Sequence, residues 1–136
     1  MNHSVAGIAF EGGKVFIARR KMGGDLGGKW EFPGGKAEAG ETDADALRRE
    51  FFEEFGVAVT AGPLLASGEF SHDGRQFALN AYRIFLDPRD LCLTEHDEWR
   101  WAALEEIEAL DFAGSDRLLL PPLQAYLHAQ PGVENR

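Results

Sequence analysis

Glu50, Glu53 and Glu54 are the residues of this chain best suited by type and spacing to do chemistry. They stand at i, i+3 and i+4 inside the stretch Thr42 to Phe55, so if that stretch is helical the three carboxylates crowd one strip of surface. Like charges at those spacings repel, and a helix gains nothing by assembling them unless a cation joins them. Two readings stand. One is an acidic face left to solvent, the usual outcome of a helical charge run. The other is a seat for a hard divalent cation such as Mg²⁺, which takes oxygen ligands, keeps several waters and suits a few carboxylates on a rigid helix.

The surrounding spacing separates the two. Gly35, five residues, Glu41, seven residues, Arg49-Glu50, apolar Phe51, one residue, Glu53-Glu54, one residue, Gly56 and apolar Val57 make nine fixed positions within twenty-three residues. That pattern resembles the signature of the Nudix hydrolases, and a motif of this length is far more specific than a lone glycine-rich loop. Just upstream, Lys29-Trp30-Glu31-Phe32-Pro33-Gly34-Gly35-Lys36 is similar to the corresponding segment of the MutT-like branch, which hydrolyses nucleoside triphosphates.

The resemblance implies an α/β fold, the Nudix α/β/α sandwich with a mixed sheet, in a single domain over residues 1–130. It also implies a Mg²⁺-dependent reaction, with Mn²⁺ as a possible substitute, that converts an NTP or dNTP to NMP and pyrophosphate and clears oxidised purine or surplus cytosine nucleotides. Such hydrolysis needs the phosphate charge neutralised and a water positioned. By resemblance Glu50, Glu53 and Glu54 hold the metal, joined by the Gly35 carbonyl. Glu41 and Arg49 are the pair expected to tie the loop to the helix. Glu98, in His96-Asp97-Glu98-Trp99, resembles the distant glutamate that serves as a further metal contact or general base, and its rival reading is a surface acid. Arg20 matches the arginine that approaches the nucleotide, and a guanidinium fork suits phosphate or a base carbonyl. Phe32 is either core or the aromatic against the base. Where the branch carries asparagine four residues after an Asp-Phe pair, this chain has Asp116. An ionised aspartate only accepts hydrogen bonds, which favours an exocyclic amine such as cytosine's unless burial keeps its proton; the alternative is an N-cap for the last helix. Two other functions stay open: hydrolysis of a nucleoside diphosphate conjugate, and nucleotide binding without catalysis.

Composition narrows the setting. With 136 residues and 44% hydrophobic residues the chain has enough material for one buried core. The net charge of −9 argues against a nucleic-acid polymer as partner, because such polymers are held by basic stripes; a nucleotide facing so acidic a protein needs cations between them. One cysteine, Cys92, allows no internal disulfide. The N-terminus lacks a basic region followed by an apolar segment, and no stretch approaches a membrane span. The expectation is a cytoplasmic monomer or homodimer with no membrane association. His3, His72, His96 and His128 show no ligand spacing, so zinc is not expected.

The elements that must position these residues follow from pattern. Val5 to Phe10 and Val15 to Ala18 flank a Gly-Gly turn and read as a hairpin. Residues 21–29 contain four glycines and read as a loop. Thr42 is the expected N-cap with Asp45 as partner; Ala44, Leu47, Phe51 and Phe55 form the core stripe, the carboxylates face outward beside it, and Gly56 ends the helix. A longer hairpin runs from Leu64 to Phe70 and Phe77 to Leu86, then a strand from Glu98 to Ala102 in which Trp99 and Trp101 pack, and a short helix at Leu104 to Leu110. The last helix, within Ser115 to Ala129, either begins at Pro121 or is kinked there. Residues 131–136 read as a polar tail.

Overall fold

The N-terminal segment joins two sheets in the computed structural model, which describes residues 2–129. β1 (Asn2–Ile8) lies between β5 (Gly34–Lys36), to which it is antiparallel, and β7 (Arg75–Phe85), to which it is parallel; β6 (Thr60–His72) completes that sheet. After Ala9 the chain enters the second sheet as β2 (Phe10–Glu11). There β3 (Lys14–Arg20) carries β8 (His96–Ala102) along one edge and β2 and β4 (Trp30–Glu31) along the other. The expected tail at 131–136 lies outside the described residues.

The first hairpin is therefore only partly as its pattern suggests. Its turn forms, with Gly12 and Gly13 at φ 58° and 78°, the left-handed pair a two-residue hairpin turn demands. Only Phe10 and Glu11 pair across it; Val5 to Ile8 belong to the other sheet. The burial of Val5, Ala6, Ile8 and Ala9 explains the difference: a strand apolar on both faces needs cover on both, which a hairpin does not give.

Alternation along β3 then builds two cores. Val15 and Ile17 join Ala6, Ile8, Trp30 and Phe32 under α2 (Leu104–Ile107) and α3 (Leu120–His128). Phe16 and Ala18 face the other way, with Val5 and Ala9, onto Leu47, Phe51 and Phe55 of α1 (Asp43–Phe55). Helices thus cover opposite faces of a mixed α/β architecture.

α1 begins with a full capping box: Thr42 accepts from the Asp45 amide and Asp45 receives the Thr42 amide. It ends at Gly56, φ 69°, a left-handed position at which glycine carries no Cβ penalty. Its core stripe runs through Ala46, Leu47, Phe51 and Phe55, and Ala44 is only partly buried. At the far end Asp116–Leu119 form a 3-10 turn that leads into α3, and Pro121 and Pro122 fall in the first turn of α3, where a missing N–H breaks no helical bond. Asp116 caps no helix: its side chain bonds elsewhere.

Candidate active site

Arg49 organises the acidic end of α1. Its guanidinium donates to both oxygens of Glu41, at 2.7 and 3.0 Å, to Glu50 at 2.8 Å, to Glu53 at 3.3 Å and to the Lys36 carbonyl at 3.0 Å. A planar fork with five donors can serve several carboxylates at once where an ammonium would not. Glu41 also accepts from the Glu38 amide, and Arg49 first and then that amide hold its carboxyl down at about 2. The loop after β5 is thereby fastened to the helix that bears the glutamates. Gly35 sits directly against Glu50: a Cβ there would come within 2.5 to 2.7 Å of the Glu50 carboxyl group.

The three glutamates do not share one outward strip. Glu53 is exposed, with 57% of its side chain accessible, but Glu50 retains 15% and Glu54 only 7%. Glu54 follows Leu47 by seven residues and Phe51 by three, so it falls on the apolar stripe itself. Burial first, then the carboxyls of Glu50 and Glu31, push its carboxyl up to about 10, against which Arg20 pulls down. One of its oxygens is buried without a hydrogen-bond partner. Such an oxygen costs free energy unless something joins it. A hard divalent cation fits this donor set of carboxylates, and Glu50, Glu53 and Glu54 with the Gly35 carbonyl are the groups that would hold it.

Beneath Glu54 lies a second set of charges. Glu31, buried on β4, accepts from Arg20 at 3.1 Å and from His96 at 2.7 Å, and His96 lies 4.0 Å from the unpartnered Glu54 oxygen. His96 is 1% exposed and stacks on Phe55 with centroids 5.0 Å apart. No ligand spacing in the sequence marks His96 or Glu31; an acidic residue between the apolar Trp30 and Phe32 was the available signal.

Register separates Glu98 from this cluster. Between Arg19 and Arg20 the β3–β8 pairing slips, so Arg19 faces Glu98 and Arg20 faces His96, with Asp97 as the extra residue. Such bulges re-aim side chains. Arg20 points with Phe16 and Ala18 toward α1, while Arg19 points with Val15 and Ile17 to the other face. Glu98 is found there, 3.5 Å from Arg19, which also binds Asp97 at 2.9 Å. Just before the strand, Glu95 is exposed, its charge acts on Arg20, and its backbone carbonyl accepts from Lys21. Thr94 next to it holds the end of α1, its hydroxyl 3.0 Å from the carbonyls of both Glu53 and Glu54.

The other end of the site is built around Phe32 and Asp116. The segment Asp111 to Ala113 pairs with Trp30, which brings Asp116 to the Phe32 amide at 3.0 Å. Phe32 is 2% exposed and meets Phe112 edge-on, so its ring is core. Phe32 and Asp116 nevertheless line a cavity of about 110 Å³ with Glu31, Gly34, Gly35 and Phe70. This cavity shares Ser4, Phe70 and Ser115 with a cleft of about 310 Å³ that reaches Lys36 and Phe77. Burial, then the Glu31 charge, raise the Asp116 carboxyl to about 8 while the Phe32 amide lowers it. At neutral pH Asp116 keeps its proton and offers a donor as well as an acceptor, so it is not confined to an amine partner.

Known proteins resemble this chain in sequence and in fold. The NUDIX domain profile matches residues 1–123. Over 127 residues, covering 93% of this chain and 94% of the relative, the sequence is 35% identical to the CTP pyrophosphohydrolase of Escherichia coli strain K12. It is 37% identical over 119 residues to a putative 8-oxo-dGTP diphosphatase 2 of Mycobacterium tuberculosis, covering 83% and 81% of the two chains. The solution structure of the E. coli ORF135 protein superposes with a TM-score of 0.82 at 34% identity, covering 96% of this chain and 94% of that one. With the full motif in place on a helix, a loop and a strand of the matching fold, the chain belongs to the Nudix family.

Proposed function

We propose that this chain is a Mg²⁺-dependent nucleoside triphosphate pyrophosphohydrolase that converts an NTP or dNTP to NMP and pyrophosphate and serves to sanitise the nucleotide pool. The observation that carries the reading is the buried, unpartnered Glu54 oxygen beside Glu50, next to Glu31 and Gly35, which line the same cavity as Asp116. A metal there supplies charge neutralisation and an activated water. The chain's own residues do the rest. Arg49 holds Glu50 and Glu53 in register with the Gly35 turn, and Arg20, anchored on Glu31, keeps part of its side chain exposed. Glu95 suits the part of the distant carboxylate better than Glu98, because its charge acts on Arg20 whereas Glu98 pairs with Arg19 on the other face. Oxidised guanine and cytosine triphosphates both fit a neutral Asp116, consistent with relatives that act on CTP and on 8-oxo-dGTP.

A nucleotide panel including CTP, 5-substituted dCTP and 8-oxo-dGTP, read by separate phosphate and pyrophosphate detection, tests this. Release of pyrophosphate that stops in EDTA and returns with Mg²⁺ or Mn²⁺ is expected. Phosphate as the first product, or full turnover in chelator, would end it.

A further inference from the structure

Glu31 and His96 play no part in the motif that defines the metal seat, yet they lie directly beneath it. Glu31 pairs with Ala18 in the β3–β4 ladder, so its side chain emerges on the α1 side, where it is 7% exposed. An ionised carboxylate so placed needs donors. It has two, and the bulge at Asp97 is what delivers them to one oxygen: Arg20 and His96 face each other across β3 and β8, and both reach the same Glu31 oxygen, at 3.1 and 2.7 Å. Without the extra residue Asp97 would stand opposite Arg20 and compete for it.

Glu54 is the neighbour that this arrangement leaves incomplete. Its buried oxygen has no donor, and the imidazole 4.0 Å away is already engaged by Glu31. Arg20, whose positive charge acts on Glu54, is likewise held on Glu31. A cluster built for packing would let Arg20 or His96 satisfy Glu54. Buried ion pairs are a poor source of stability compared with apolar residues of similar volume.

Resting on the reading of Glu54 as a metal ligand, we infer that Glu31 and His96 are positioning residues for the metal seat: they hold Arg20 off Glu54 and keep the Glu54 oxygen open to a divalent cation. His96 has a second duty, because its stacking on Phe55 fixes the turn of α1 that bears Glu54. Partners outside the ligand set orient ligands in this way elsewhere, and their loss weakens metal binding by about 10- to 100-fold.

The test compares wild type with Glu31→Gln, His96→Leu and His96→Gln by electron paramagnetic resonance of Mn²⁺, and in parallel by the Mg²⁺ concentration that gives half-maximal hydrolysis. Glu31→Gln keeps the volume but releases Arg20 toward Glu54, so the Mn²⁺ dissociation constant should rise about 10-fold or more. The half-maximal Mg²⁺ concentration, read at saturating nucleotide, should rise in parallel. His96→Leu should behave the same way. His96→Gln, whose amide still donates to Glu31, should return most of the lost affinity. Melting in EDTA shows which variants are folded, and if His96→Leu is not, Glu31→Gln decides alone. An unchanged Mn²⁺ constant in folded Glu31→Gln, or a uniform rise in KM with metal binding intact, overturns the inference. Wild type that binds no Mn²⁺ and hydrolyses in chelator overturns the metal-dependent reading itself, and that result is visible before any variant is made.

Discussion

Replacing Glu54 by glutamine should flatten the pH dependence of stability in the metal-free protein. The folded chain holds the Glu54 proton up to about pH 10, against an ordinary value of 4.5. Asp116 is held to about 8 against 3.8. Between those limits the folded state binds protons that the unfolded state has released. Both carboxyls therefore leave stability at its fullest below the ordinary carboxylate range and erode it as pH rises toward the folded values. Each proton held in this way costs up to about 1.4 kcal/mol per pH unit. From about pH 5.5 to about pH 7.5 the two groups together set an upper limit of about 5 kcal/mol, of which Glu54 supplies half. For a chain of this size 1 kcal/mol corresponds to roughly 4 °C in Tm, so the loss is readily seen. Glutamine keeps the shape of the protonated acid, and Glu54→Gln should match wild type at the acidic end and exceed it at the alkaline end. Urea denaturation in EDTA across that range measures the slopes. Parallel curves for the two proteins would refute the assignment of a retained proton to Glu54. Saturating Mg²⁺ should abolish the slope difference from the other side, because the cation takes the proton's place in wild type.

Three other outcomes are expected. Glu50→Gln and Glu53→Gln should each lower kcat about 100-fold or more while Tm changes little, the scale of a lost transition-state electrostatic contact; a fully active variant would return that residue to an acidic surface. Glu95→Gln should depress kcat with little change in KM, whereas Glu98→Gln, which loses only an exposed pair with Arg19, should retain wild-type kinetics; the reverse pattern would restore Glu98 as the distant carboxylate. Asp116→Asn preserves an acceptor for the Phe32 amide and a donor for the base, so base preference should hold near neutral pH and its decline above about pH 8 should vanish. Asp116→Ala should cost about 1 to 3 kcal/mol by orphaning that buried amide, and a neutral effect on urea midpoints would contradict the bond.

The helix that bears the glutamates was legible because its signals are local: a cap at Thr42, a stop at Gly56 and apolar spacing between them. The second hairpin was legible for the same reason. What pattern could not reveal depends on register between distant strands. The bulge at Asp97 decides that Glu98 and His96 emerge on opposite faces, and nothing in His96-Asp97-Glu98 announces an extra residue. Glu54 appeared to face outward because carboxylates ordinarily do, and only the packing of Phe51 and Phe55 on Phe16 shows that its turn of the helix is the covered one. A cap was one of the two readings open to Asp116, beside contact with the base, because aspartate prefers that place; the backbone amide it accepts from lies 84 residues away at Phe32.

Those separations bear on how the chain reaches this state. His96 meets Glu31 across 65 residues, and β1 enters as an interior strand, parallel to β7, between partners from two different thirds of the chain. α1 and the β6–β7 hairpin close small loops and can form on their own, whereas pairings of this span must first overcome the entropy of closing long ones. Folding is then expected to run from the middle outward, with the glutamate-bearing helix formed early and its electrostatic surroundings completed only when β1 slots in and β8 docks on β3. Hydrogen exchange during refolding should protect the amides of α1 and of the β6–β7 hairpin before those of β1 and β8.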